Sequence, residues 1–119
     1  MTQQDTAPAH GKEVLRELTP LHRNLRQAIP EVYQGFGALS KAAFADGALD
    51  RKTKELIAIS ASLAAKCQGC LEGHIKKALK FGATRDEISE SIAIAIGVNA
   101  AAVVDLSDIA ADSLDLKLY

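Results

Sequence analysis

Two cysteines and a histidine fall within eight positions of a 119-residue chain, in the run Cys67-Gln68-Gly69-Cys70-Leu71-Glu72-Gly73-His74. On a helix, positions three, four and seven apart share a face, so Cys67, Cys70 and His74 would line up within about 60° of one another. A Cys-x-x-Cys pair at the start of a helix lies beside unpaired amides and the positive end of the helix dipole, which favours thiolate over thiol. His74, one turn past Cys70, is placed to take its proton. Glu55 stands twelve residues before Cys67, at the head of the apolar run Leu56-Ile57-Ala58-Ile59. A carboxylate buried there without a partner would be costly, and a partner at the cysteine site answers that cost. The plainer alternative is a first-turn residue serving the dipole of its own helix.

Three kinds of chemistry fit these residues. A redox pair would cycle between dithiol and disulfide. Two thiolates, an imidazole and a carboxylate could hold zinc, although structural zinc sites usually draw their ligands from two separated Cys or His pairs and this chain has one. Two buried thiols could also act as small apolar side chains in a purely structural helical protein. With only two cysteines, three residues apart, a bridge would constrain little of the unfolded chain. If a bridge forms, chemistry is its better explanation.

The elements that must position these residues read as helices. Val14, Leu15, Leu18, Leu21, Leu25 and Ala28 form an apolar stripe over Lys12 to Ala28. Pro30 suits a first helical position and opens a second helix reaching the Asp46-Gly47 turn. Asp50 is a candidate cap for a third, ending near the cysteines, and a fourth is expected from about Gln68 to Lys80, stopped by Gly82. Thr84-Arg85-Asp86-Glu87 reads as a capping box flanked by Ala83 and Ile88, so a fifth helix begins at Thr84 and reaches at least Val104. The alternation in Ser91-Ile92-Ala93-Ile94-Ala95-Ile96 resembles a strand, but the cap and the alanines favour helix. Ile88, Ile92, Ala95, Ile96, Asn99, Ala100 and Val103 fit one helical face. Because this helix is apolar on nearly all sides, it belongs in the core or at a subunit interface. Leu106 to Tyr119 is expected to form a further short amphipathic helix.

The expectation is therefore an all-α protein of about five or six helices, with a polar tail over residues 1–11 and a single domain over 12–119. The βαβ pattern of a thioredoxin-type fold is missing. With 14 basic and 15 acidic residues there is no global field to favour nucleic acid. No uncharged apolar stretch reaches the roughly 18 residues of a membrane span, and no leader-like segment opens the chain, so a cytoplasmic protein with no membrane or nucleic-acid partner is expected. His10 and His22 are expected to be solvent-exposed.

The spacing Glu55, Cys67, Cys70, His74 resembles the AhpD-like alkylhydroperoxidase branch of the carboxymuconolactone decarboxylase family. The resemblance extends through Ala43 to Asp50, Lys54 to Ala58, Phe81 to Thr84 and the Ile-Ala-rich helix, over roughly residues 30 to 104. It implies an all-helical homo-oligomer, a trimer or hexamer, that acts as a thiol-dependent peroxidase, with Cys70 attacking the peroxide, Cys67 resolving, and His74 and Glu55 relaying protons. It implies no cofactor and no metal, and a dithiol reductant such as a lipoyl carrier or a thioredoxin-like protein. The best-known members have a histidine immediately before the later cysteine, where this chain has Gly69. That departure leaves a thiol-disulfide oxidoreductase or adaptor, without significant peroxidase activity, as the alternative.

Overall fold

The structure, a computed structural model, describes residues 22–117. The tail expected over residues 1–11, with His10, and residues 12–21 of the first predicted helix lie outside the described residues, as do Leu118 and Tyr119. Among the described residues there are five helices and no strand: α1 (residues 22–28), α2 (Pro30–Phe44), α3 (Arg51–Ala65), α4 (Gln68–Lys80) and α5 (Arg85–Ser113).

Each start follows from a local signal. Pro30 takes the first helical position of α2. The Asp50 side chain accepts from the Thr53 amide at 2.8 Å and caps α3. At α5 the capping box is complete: Thr84 Oγ1 accepts from the Glu87 amide at 3.0 Å, and Glu87 Oε1 accepts from the Thr84 amide at 2.8 Å. Gly82, past the end of α4, has φ +92°, a conformation that side-chain-bearing residues rarely adopt.

The helix α3 is the centre of the packing, lying against both α4 and α5 and more lightly against α2. Ile59, Ala78, Ala83 and Ile88 form the buried cluster, ringed by Leu56, Leu63, Leu71, Ile75 and Ile92. Polar contacts set the α3–α5 register. The Lys52 ammonium donates to Glu87 Oε2 at 3.0 Å, the Ser91 hydroxyl donates to the Leu56 carbonyl, and the Ser60 hydroxyl donates to the Ser91 carbonyl. His22 is exposed, its Nδ1 2.6 Å from the Tyr33 hydroxyl, and Asn99 donates back to the Ala95 carbonyl within its own helix.

Three expectations about α5 need correction. Among the described residues no separate helix forms after Leu106: α5 continues to Ser113 because no glycine or proline interrupts residues 104–113. Ile96 and Val103, expected on the face with buried Ile88 and Ala95, are each 66% exposed. The register explains Val103: Lys52 meets Glu87 and Leu56 meets Ser91, so Ala65, the last residue of α3, is level with Ala100, and α5 overhangs α3 beyond that point. Ile96, level with Ala61, is exposed because it lies about 100° around the helix from buried Ala95 and so off the face that meets α3. The third concerns membrane length. Counting only uncharged residues hides the fact that an 18-residue window of α5 has mean hydropathy 1.8, enough by length and composition to cross a membrane, with 6% of that window buried.

Candidate functional site

The site is built at the turn joining α3 to α4. Lys66 closes α3 in a left-handed conformation, φ 58° and ψ 41°, and the Cys67 amide then donates to the Ser62 carbonyl at 3.0 Å. This reversal makes Cys67 the N-cap of α4. Its backbone is extended, so it does not share a helical face with Cys70 and His74, as the spacing alone suggests. The helix-start geometry is present instead: Cys67 Sγ accepts from the Cys70 amide at 3.3 Å. Cys67 and Cys70 are joined in a disulfide, with Cys70 the more exposed of the two residues.

Four residues after Cys70 on α4, His74 directs Nδ1 to Glu55 Oε1 at 2.7 Å. Glu55, on α3, has no exposed surface, and its other oxygen accepts from Arg51 Nε at 2.8 Å. The buried carboxylate is thus hydrogen-bonded through both oxygens, the condition under which a buried charge is tolerated. Because an ionised carboxylate only accepts, Nδ1 carries the proton in this pair, and in the neutral imidazole Nε2 then keeps its lone pair. Phe44, the last residue of α2, stacks on the His74 ring at 5.1 Å and 14°. The Arg51 guanidinium lies over the rings of Phe44 at 5.3 Å and Phe81 at 4.7 Å. The Lys54 ammonium donates to the carbonyls of Ala43 and Ala45, tying the end of α2, and with it Phe44, to α3.

Cys67, Cys70 and His74 line one open groove of about 500 Å³ whose other walls include Phe44, Leu49 and Ile57. Among the described residues, no group of three or more His, Cys, Asp or Glu side chains is arranged to hold a metal ion. Three members of the constellation escape a reading of the sequence. Arg51 precedes Glu55 by four residues, a spacing that marks a helical ion pair and so offered a signal. Phe44 and Phe81 come from other segments and offered none.

A sequence model of the carboxymuconolactone decarboxylase family matches residues 30–112. A carboxymuconolactone decarboxylase family protein from Legionella pneumophila is 36% identical, with a TM-score of 0.71 over 76% of this chain and 81% of that one. The alkylhydroperoxidase AhpD core from Rhodospirillum rubrum is 18% identical, with a TM-score of 0.54 over 100% of this chain and 95% of that one, a likeness of fold. An uncharacterised protein of the cox locus of Paracoccus denitrificans is 49% identical over 67 residues, 56% of this chain. That match spans 60% of the relative's length, less than two thirds of it.

Proposed function

The chain belongs to the carboxymuconolactone decarboxylase family, and we propose that within it this protein is a thiol-dependent peroxidase of the alkylhydroperoxidase type. The observation that carries this reading is the Cys67–Cys70 disulfide sharing one groove with a histidine whose other nitrogen is held by a buried glutamate. In the reduced protein, His74 Nε2 takes the Cys70 thiol proton. The thiolate attacks the terminal peroxide oxygen, an S–O bond forms as the O–O bond breaks, and the departing alkoxide takes the proton back from His74. The Cys67 sulfur then attacks the Cys70 sulfenic acid, water leaves, and the disulfide is made. Two electrons have passed from the thiols to the peroxide. An outside dithiol, a lipoyl carrier or thioredoxin-like protein, restores the pair by exchange. The apolar walls of the groove suit the alkyl portion of an organic peroxide better than hydrogen peroxide alone. A homo-oligomer in the cytoplasm, where thiols are kept reduced, completes the proposal.

Gly69 favours a second reading, in which the pair exchanges disulfides with protein partners and meets peroxide slowly. One experiment separates them: the fully reduced chain is mixed with organic hydroperoxides, and Cys67–Cys70 oxidation is followed by mass spectrometry, then reversed with a panel of dithiols. The peroxidase reading expects one disulfide per peroxide consumed, loss of the reaction in Cys70→Ser, and a sulfenic acid trapped by dimedone in Cys67→Ser. Oxidation no faster than that of free cysteine, with rapid exchange against oxidised lipoamide, would leave only the second reading standing.

A further inference from the structure

We propose that Arg51 is a positioning residue for the proton relay, holding Glu55 and His74 in the one arrangement that leaves His74 Nε2 free to act as a base; this rests on the thiol-oxidation reading of the site. Arg51 Nε donates to Glu55 Oε2 at 2.8 Å while Oε1 faces His74 Nδ1 at 2.7 Å. With one oxygen held by a permanent cation, the carboxylate stays an acceptor on both sides, and the Nδ1–H tautomer is the only neutral form of His74 that satisfies it. Take Arg51 away and Glu55, with no exposed surface, keeps a single partner. It must then gain a proton or draw a second one onto His74, and either change ends the preference for a free Nε2.

The same guanidinium also governs the plane of the imidazole. It lies between Phe44 and Phe81, 5.3 and 4.7 Å from their ring centroids, and Phe44 is the ring stacked on His74. Cation and ring therefore lock one another, and His74 is held both at its edge, through Glu55, and on its face, through Phe44. With its side chain 30% exposed, Arg51 is not simply core filling.

The test uses the full chain in its disulfide form, labelled with 15N-histidine, with the His74 signals assigned against His74→Gln. The parent is expected to show the Nδ1–H tautomer of His74. Arg51→Met and Arg51→Gln, two truncations of different shape, are each expected to lower that population about two-fold or more, and Arg51→Lys to restore most of it. In the reduced proteins, peroxide-driven oxidation should fall roughly 10-fold in the truncations, with a displaced pH profile. The tautomer is read on the resting protein and needs no turnover. If the parent proves inert to peroxide, the proposed function falls while the role of Arg51 is still judged. A parent-like tautomer ratio in a folded truncation would overturn the proposal. Loss of helical circular dichroism in both truncations would overturn it too, by assigning Arg51 to the fold.

Discussion

Because both oxygens of Glu55 face donors, the two obvious changes at this residue have different consequences. Glu55→Ala leaves Arg51 and His74 without their partner and opens a hole beside Ile59, so it should cost on the order of 3 kcal/mol, read by denaturant unfolding. Glu55→Gln keeps the volume. Its amide oxygen can still accept from Arg51, but its amide nitrogen then faces His74 Nδ1, which must accept, moving the imidazole proton to Nε2. Glu55→Gln should therefore fold with stability within about 1.5 kcal/mol of the parent, yet oxidise at least roughly 10-fold more slowly with peroxide. Equal rates for Glu55→Gln and parent would remove Glu55 from the relay. The pairing of Glu55 with the cysteine site was legible because a carboxylate bordering Leu56-Ile57-Ala58-Ile59 had to find a partner. The stacking of Phe44 was not, because it depends on where the end of α2 comes to rest, and that is a tertiary outcome.

At the scale of elements, short-range chemistry made the helix starts legible: Pro30 lacks the amide that would go unpaired at a first helical position, and Asp50 and Thr84 each accept from the amide three residues on. The end of α5 was not legible, since no stop signal exists to be read before Ser113. Two caps have measurable consequences. Amide donation from Thr53 holds the Asp50 carboxyl below its ordinary value of 3.8, and donation from Thr84, with Lys52 nearby, holds Glu87 below 4.5. A carboxyl lowered in the folded state contributes stability that is complete above its unfolded value and is lost as pH falls through its folded one. The melting temperature should therefore drop between about pH 5 and pH 2, and the drop should be shallower in the Asp50→Asn, Glu87→Gln double variant. An unchanged slope would mean that these caps do not drive the acid response. The left-handed Lys66 offers the opposite kind of test. A β-carbon in that conformation costs about 1 kcal/mol, so Lys66→Gly should raise the melting point by roughly 4 °C at fixed protein concentration. A lower melting point would show that the lysine side chain contributes more than the backbone relief.

For the whole molecule, the unfinished packing of α5 is the main consideration. Its radius of gyration, 17.9 Å, exceeds the roughly 13 Å of a compact chain of this size. Ile94, Ile96, Val98, Val103, Leu106 and Ile109 are each more than 60% exposed. A bilayer and a second copy of the chain would both cover such a surface. The complete capping box and the polar locks to α3 anchor one end of α5 in a folded helical bundle, and exposed apolar side chains on the overhang then have further copies as their simplest cover. The parent should therefore sediment as a homo-oligomer at micromolar concentration without detergent, and the family resemblance implies a trimer or hexamer. Ile96 and Val103 lie seven residues apart and so on one exposed face of α5. Ile96→Asp with Val103→Asp should shift the population to monomer, since each change forfeits about 2 kcal/mol of apolar burial in every contact it makes and places a charge there. A monomeric parent by analytical ultracentrifugation, or partition of the parent into vesicles, would sink the oligomer. A double variant that still assembled would move the interface to another face of α5 or to the exposed Val32, Phe36 and Leu39 of α2.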